Sequence, residues 1–579
     1  MIERKHRYRL TGYVVVMISV LFCLSLRIVY LHAGSYRRQW KRMRKTRRFE
    51  KDLKIGRGKI LDCNGNILAL NLVKKEICAD PSVVVSNNSV TAVASFIGGC
   101  IDIDPAAIIA RLNRPGSRFA FLCGYGRTIE NRNAETIARM NFPGVFFNDV
   151  LVRTYPRGSS MCHVLGYVNL EGEGSAGVEQ RWNSYIRGVP GLVISEMDGR
   201  RRELYNRRYL EIKPRAGATI KLTLDQYVQY IVEQALDCAM EEHGARAAWA
   251  IVERVRTGEI LAMANRPAYD LNCFRKSKPE QMRNRCISNI YEPGSTFKVA
   301  VVAAALNAGV VTTSQVFNCE NGRWIYKGRP LRDYHPYDKL CVADIIKKSS
   351  NIGAAKIALC LGNERIYKYL KAFGIGRLTG IELPGEEAGI LRPVTKWSSL
   401  TPTRIAIGHE VAVTALQMLG VVCAIANDGF LMKPYVVDQV LSADGRVLFQ
   451  QNPVVMGRSV RRDTADVMKK LLVRVVEAGG TGRRASVAGY TVAGKTGTAQ
   501  KVIAGGYSDV LNVASFVGFL PAEDPRLAII VVVDEPRKSV RTGGTVAAPV
   551  FKKIAEQSVR YLDILPKAVA AQAQSDKGT

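Results

Sequence analysis

Tyr291-Glu292-Pro293-Gly294-Ser295-Thr296-Phe297-Lys298, followed by the apolar run from Val299 to Leu306, is the stretch around which the chain is organised. Pro293 and Gly294 end whatever precedes them, and from Ser295 the pattern is helical and apolar on every side, with Gly309 available as a left-handed stop. A helix without a polar face is a buried helix. Its first turn carries a hydroxyl and, three residues on, an amine, stacked on one face at the positive end of the helix dipole. Ser295 is therefore a candidate nucleophile and Lys298 a candidate base, provided that burial or nearby positive charge holds the amine neutral. Alone, Ser-x-x-Lys arises by chance about once or twice in a chain of ordinary composition and this length.

Two further elements sharpen the reading. Lys348-Ser349-Ser350-Asn351 is a polar break between an amphipathic segment, 342–347, and a small-residue helix, 352–361. It is compatible with an ordinary helix cap at Ser349, Ser350 or Asn351, but its hydroxyl and amide can also point into one cleft. Tyr490 to Gln500 reads as a strand in which Gly497 permits close approach of a ligand, with Lys495, Thr496 and Thr498 beside it. Such a strand can grip a carboxylate and offer an N–H to an oxyanion.

The length of 579 residues predicts two or three domains. A net charge of +32 suggests an anionic partner, but the N-terminus redirects that reading. Leu10 to Leu26 is uncharged and largely apolar and continues past Arg27 to Leu31, just long enough for an uncleaved membrane anchor if Arg27 snorkels. Arg4, Lys5, Arg7 and Arg9 precede it, whereas Arg37, Arg38, Lys41, Arg42, Arg44, Lys45, Arg47 and Arg48 follow. The charge count alone would leave the large C-terminal part in the cytoplasm, although long domains translocate largely regardless of charge. The 13 cysteines contain no C-x-x-C pair, so no metal is expected; Cys319 and Cys341 flank a polar loop and could bridge.

Farther along, residues 57–69 read as strand, Asn64-Gly65 turn, strand, and a mixed helical region follows through Leu112. Nothing catalytic stands out between 34 and 215, where Glu171, Glu173 and Glu179 read as structural or interfacial. Thr219 to Leu224 reads as a strand, Asp225 as the cap of a helix 226–242, and 248–252 with 259–264 as a hairpin around Thr257-Gly258. Later strands are expected at 515–520 and 527–533, and a last helix at 546–562. The fold class is therefore α+β, an antiparallel sheet flanked by helices. The tail from Pro566 reads as disordered.

Ser-x-x-Lys, Ser-x-Asn and Lys-Thr-Gly in this order are a pattern already described for β-lactamases and penicillin-binding proteins. With Arg57-Gly58, Asp62-x-Asn64-Gly65, Arg153-x-Tyr155-Pro156, His163-x-Leu165-Gly166, Gly177-Val178-Glu179, Thr379 to Pro384 and Thr414-x-x-Gln417, the chain resembles a class B penicillin-binding protein, a monofunctional peptidoglycan transpeptidase. Residues 493–501, 514–519 and 544–551 are most similar to the division-specific FtsI type, with the elongation-specific type as runner-up. Cys63 stands where the family usually has arginine, Gly408-His409-Glu410 replaces Gly-Gln-Gly, and Ser-Ser-Asn replaces Ser-Asp-Asn.

The resemblance implies a cytoplasmic tail at 1–9, a transmembrane anchor at 10–31, a non-catalytic pedestal at 32–215, a penicillin-binding transpeptidase domain at 216–565 and a disordered tail at 566–579. It implies peptidoglycan stem peptides ending in D-Ala-D-Ala as substrate, β-lactams as inhibitors, no cofactor, and single-pass placement in the cytoplasmic membrane with the catalytic domain outside. In that scheme Ser295 attacks and Lys298 is its base, Ser349 relays a proton, and Asn351 holds the substrate amide. Lys495, Thr496 and Thr498 bind the terminal carboxylate, Gly497 lies close behind, and the N–H groups of Ser295 and Thr498 form an oxyanion hole. A polymerase of the shape, elongation, division and sporulation (SEDS) type and other division proteins are the implied partners.

A serine β-lactamase would need a second base, for which Glu386 and Glu387 are the candidates. A β-lactam sensor, a D,D-carboxypeptidase and a catalytically silent division scaffold share the same motifs or their surroundings. A bifunctional enzyme would need a glycosyltransferase domain that 34–215 does not resemble. Nucleic-acid binding is disfavoured because the basic excess is spread along an anchored chain without a binding motif.

Overall fold

The computed structural model describes residues 2–34, 47–53, 55–198, 203–503, 506–538 and 541–566. The basic residues from Arg37 to Lys45 and all but the first residue of the expected tail at 566–579 lie outside them. The chain divides into two compact units, residues 1–56 with 188–217, and residues 57–187 with 218–579.

In the first unit, helix α1 runs Ile2–Val29 and is the one described helix long and apolar enough to cross a membrane. It starts well before the apolar run because Arg4, Lys5, Arg7 and Arg9 are good helix formers that extend it. Arg48–Leu53 pairs antiparallel with Gly191–Met197, which also pairs with Leu210–Ile212 and Glu203–Leu204.

The second unit opens with β1 (Ile67–Ala79), paired antiparallel with β2 (Val145–Thr154), and three short helices that bury Val84, Val93, Ile97 and Ile108 against Ile77. The strand, Asn64-Gly65 turn and strand are as expected, with Ile60–Leu61 pairing antiparallel with Ile67–Ala69, but β1 runs ten residues beyond Ala69 because its remainder pairs with the distant β2. Arg57, Arg153 and Glu179 meet in this unit with side chains 7%, 3% and 0% exposed. Glu179 accepts from Arg57 Nη2 and Arg153 Nε, each at 2.6 Å, and from the Tyr155 hydroxyl at 3.3 Å.

Next come α2 (Gln226–His243), β3 (Ala247–Arg254) and β4 (Ile260–Arg266). The Asp225 carboxylate caps α2, accepting from the Tyr227 and Val228 N–H groups. Helices α3 (Lys298–Asn307), α4 (Val342–Lys348), α5 (Asn351–Leu361) and α6 (Ala415–Ala426) follow. The chain then adds β5 (Ala493–Ile503), β6 (Gly506–Leu520), β7 (Leu527–Asp534) and α7 (Ala547–Tyr561).

The strands form one antiparallel sheet in the order β4-β3-β7-β6-β5. Alternation along them divides the core. Ala250, Val252, Ile529 and Val531 pack against α2 and α7, while Trp249, Ile251, Ile530 and Val532 face α3 and α6. Every residue of β7 is buried, which is why it reads as a continuous apolar run. Helix α3 is buried from Lys298 to Ala305. The expected strand at 515–520 begins at Gly506 instead, because β5 and β6 extend together as a long hairpin beyond the sheet.

Removing Glu179 leaves two buried guanidinium groups without a counter-charge, which typically costs about 3–5 kcal/mol. Glu179→Ala is expected to lower the urea midpoint of this unit substantially. A midpoint within error of the wild type would show that Arg57 and Arg153 find other partners.

Candidate active site

The turn that carries Ser295 is built from backbone contacts too close for side chains. A Cβ on Gly294 would stand 2.8 Å from the Thr498 carbonyl oxygen, and one on Gly408 would stand 2.2 Å from the Gly294 oxygen. Gly294 itself sits at φ +59°, a conformation that favours glycine. Gly294 through Phe297 form a 3-10 turn before α3 begins at Lys298, so the expected helix starts as a tighter coil. Ser295 is half-buried at this turn.

Lys298 is fully buried, and its amine donates to the Ser349 carbonyl oxygen at 2.6 Å and to Asn351 Oδ1 at 2.7 Å, with Ser349 Oγ at 3.2 Å. Burial pushes the amine down to about 7, with the Asp333 carboxylate pulling weakly the other way. Lys495 is equally buried and its Nζ donates to Ser349 Oγ at 2.8 Å and to the Thr496 oxygen at 3.1 Å. Burial, and then the nearby Lys298 charge, hold it well below the ordinary lysine range. A hydroxyl thus bridges two amines that cannot both carry a full charge at low cost.

Ser349 reaches both because it ends α4 in the left-handed conformation, φ 61° and ψ 39°. A non-glycine residue there costs on the order of 1–2 kcal/mol, which the bonds to the two lysines offset. Ser350 is the cap of α5, its hydroxyl accepting from the Gly353 N–H at 2.9 Å. Asn351 is the first residue of α5, with Nδ2 donating to the Arg332 oxygen at 2.8 Å. That bond orients the amide so that Oδ1 faces Lys298.

The polar loop between Cys319 and Cys341 supplies a residue that sequence reasoning missed. The Asp333 carboxylate accepts from the Ser350 hydroxyl at 2.6 Å, from the Ile352 N–H at 3.1 Å and from the Asn351 N–H. It caps α5 from outside and faces Lys298. An acid far from any motif leaves no local pattern, and only the start of a helix in need of an acceptor hints at it. Cys319 and Cys341 are both free thiols.

On β5, Lys495 and Gly497 face the Ser295 turn; a Cβ on Gly497 would stand 2.9 Å from Thr296 Cγ2 and 3.0 Å from the Pro293 oxygen. The neighbouring hydroxyls have partners of their own. Thr496 Oγ1 donates to Thr481 Oγ1 at 3.0 Å, and Thr498 Oγ1 accepts from the Gly543 N–H at 3.0 Å. Thr481 and Gly543 are likewise absent from the sequence reading, although Gly479-Gly480-Thr481-Gly482 and Thr542-Gly543-Gly544-Thr545 are the turn-rich stretches that could have pointed to them.

The arrangement can move a proton. A neutral Lys298 amine has two N–H bonds, spent on Ser349 O and Asn351 Oδ1, and one lone pair left for a hydroxyl proton. Ser349, receiving from Lys495, can pass its own proton on. Glu386 is committed elsewhere: its carboxylate accepts from the Thr379 N–H at 2.7 Å and the Gly380 N–H at 3.2 Å.

Residues 248–556 match the penicillin binding protein transpeptidase domain, and residues 53–222 match the penicillin-binding protein dimerisation domain. The chain is 32% identical over 570 residues to a probable peptidoglycan D,D-transpeptidase PenA of Neisseria gonorrhoeae, covering 96% of this chain and 93% of that protein. It is 31% identical over 520 residues to peptidoglycan D,D-transpeptidase FtsI of Escherichia coli, covering 89% and 85%. Stage V sporulation protein D of Bacillus subtilis is 32% identical over 515 residues, covering 88% and 79%. Among solved structures, penicillin binding protein 3 of Mycobacterium tuberculosis in complex with aztreonam is similar at a TM-score of 0.70 and 26% identity, covering 89% of this chain and 98% of that one.

Because the Asp333 carboxylate favours the charged amine, Asp333→Asn should lower the Lys298 titration midpoint further below about 7. The midpoint is read by NMR of the lysine side chain. An unchanged or raised midpoint would show that Asp333 serves α5 alone.

Proposed function

The chain belongs to the class B penicillin-binding proteins, peptidoglycan D,D-transpeptidases of the FtsI-like kind, and from that premise we propose that Ser295 is its nucleophile and septal wall synthesis its task. The observation that carries the catalytic assignment is the fully buried Lys298 amine, held near neutrality beside the turn of Ser295 and bonded to Ser349 and Asn351.

Lys298 takes the Ser295 proton as Oγ attacks the carbonyl carbon of the penultimate D-Ala. The oxyanion that forms is met by the N–H groups of Ser295 and Thr498, each such donor being worth about 3 kcal/mol. As the C–N bond breaks, the proton passes through Ser349 to the amine of the departing D-Ala, leaving an ester on Ser295. An acceptor amine from a neighbouring stem attacks that ester, gives up its proton by the same route in reverse, and the peptide bond forms as Ser295 regains its hydrogen. Asn351 aligns the donor peptide, while Lys495, Thr496 and Thr498 receive its terminal carboxylate and Gly497 lets the strand approach. β-Lactams enter as acylating mimics of the same peptide end.

Because peptidoglycan lies outside the cytoplasmic membrane, the proposed function requires the anchor at 10–31 to span that membrane and the pedestal at 32–215 and the catalytic domain to lie on its outer side. Similarity to the FtsI type in 493–501, 514–519 and 544–551 supports the septal role and partnership with a SEDS-type polymerase. The hydrogen bonds of Glu386 disfavour it as the second base of a class A β-lactamase mechanism, because a carboxylate spent on a loop is not free to activate the hydrolytic water.

Purified wild type is expected to retain a fluorescent penicillin for hours, and Ser295→Ala to retain none. Lys298→Met should slow acylation by about a hundredfold to ten-thousandfold, the usual share of a general base. The wild-type rate should rise with pH through about 7, because Lys298 acts as a base only once it has lost its proton. A labelled Ser295→Ala protein, or a rate that falls across that interval, would remove the assignment. Depletion in the native host is expected to give filaments without septa; rounded cells would point to the elongation type instead.

A further inference from the structure

Beside the Ser295 turn, one carboxylate ties three separate segments together. Glu292, three residues before Ser295, has a side chain 17% exposed. Its Oε1 accepts from the Glu410 N–H at 2.9 Å and from the Tyr507 hydroxyl at 3.2 Å. Its buried Oε2 makes no hydrogen bond among the described residues and lies 3.2 Å from His409 Nδ1. The His409 ring meets the Tyr507 ring edge-on, with centroids 4.8 Å apart. Burial, and then the Glu292 charge, push the Tyr507 phenol up to about 12, so it stays a donor.

The loop that brings His409 here is itself under strain. Glu410 takes φ 58°, a conformation costing about 1–3 kcal/mol outside glycine. It is kept there by its N–H bond to Glu292 and by a carboxylate that accepts from the Thr401 hydroxyl at 2.8 Å. The His409 N–H is fixed to the Arg404 oxygen at 2.9 Å.

Tyr507 pairs with Val502 on the outer part of the β5–β6 hairpin. This hairpin already touches the Ser295 turn at Gly294 and Gly497. A single area of contact lets two elements pivot; a second one at a distance sets their angle. The hairpin is also tied to the end of β7, where Lys501 Nζ stands 2.7 Å from both Asp534 Oδ1 and Glu535 Oε1.

We propose that His409 is a positioning residue for acylation: by clasping Glu292 together with Tyr507 and the Glu410 backbone, it locks the hairpin against the nucleophile turn and sets the width of the groove that receives the substrate peptide. The proposal rests on Ser295 being the nucleophile. It concerns His409 and Glu410, the two positions at which this chain departs from Gly-Gln-Gly.

The test separates binding from chemistry in stopped-flow acylation by a fluorescent penicillin. His409→Ala should lower the acylation rate constant about tenfold while leaving the dissociation constant of the pre-acylation complex within about twofold, because alignment and not affinity is lost. His409→Gln, whose side-chain amide can donate to the Glu292 carboxylate, should recover most of the rate. Tyr507→Phe should lose a similar factor, and the double variant His409→Ala/Tyr507→Phe should lose no more than about tenfold, since both changes open one latch.

Losses that multiply to about a hundredfold in the double variant would overturn the proposal, as would wild-type rates in either single variant. If His409→Ala melts below the wild type, Tyr507→Phe decides alone: it removes only a hydroxyl from an exposed ring, and full-rate acylation by it overturns the latch. Failure of the Ser295 assignment would register differently, as labelling of Ser295→Ala.

Discussion

A buried lysine amine that has lost its solvent is the constraint on which the rest of this structure depends. Taking an ammonium ion out of water is so unfavourable that the group gives up its proton instead, and Lys298 is driven down to about 7 in this way. The surroundings must then do two opposed things: exclude water, and still offer enough acceptors that the amine is held in one place. The apolar helix α3 and the sheet behind it do the first. The Ser349 carbonyl and the Asn351 amide do the second.

Several features that look unrelated follow from that requirement. Ser349 is bent into the left-handed region, and there its carbonyl reaches Lys298 and its hydroxyl reaches Lys495. Asp333 lies at the start of α5, stabilising the helix that supplies Asn351 and tempering the depression of Lys298. Lys495 is the second amine of the pair, and its lowered proton affinity is partly a response to the first. The glycines at 294, 408 and 497 bring three backbones together so that the turn bearing Ser295 is fixed without a side chain intervening.

The candidate site residues were legible because each sits in a short local pattern whose secondary structure could be inferred. Ser295 and Lys298 share the first turns of an apolar helix, Ser349 and Asn351 flank a helix break, and Lys495 lies on a strand. The α+β class followed from strands at both ends of 216–565 with helices between. What stayed hidden was set by long-range pairing. β1 outran its turn because its partner was β2, some seventy residues away. β6 began earlier than its apolar segment because β5 continued beside it. Asp333, Thr481, Gly543 and the Glu292–His409–Tyr507 cluster meet only through folding, and a single sequence holds no signal for such meetings beyond glycine-rich turns and an unusual residue at a familiar position.

The conformation of Ser349 also bears on which hydroxyl residue this position accepts. Threonine carries the same oxygen and could accept the same bonds from Lys298 and Lys495. Its branched Cβ, however, is poorly tolerated at positive φ, where the extra methyl group crowds the backbone. Position 349 is thus closed to an exchange that would cost little in an ordinary loop, and the backbone excludes it before any question of reactivity arises.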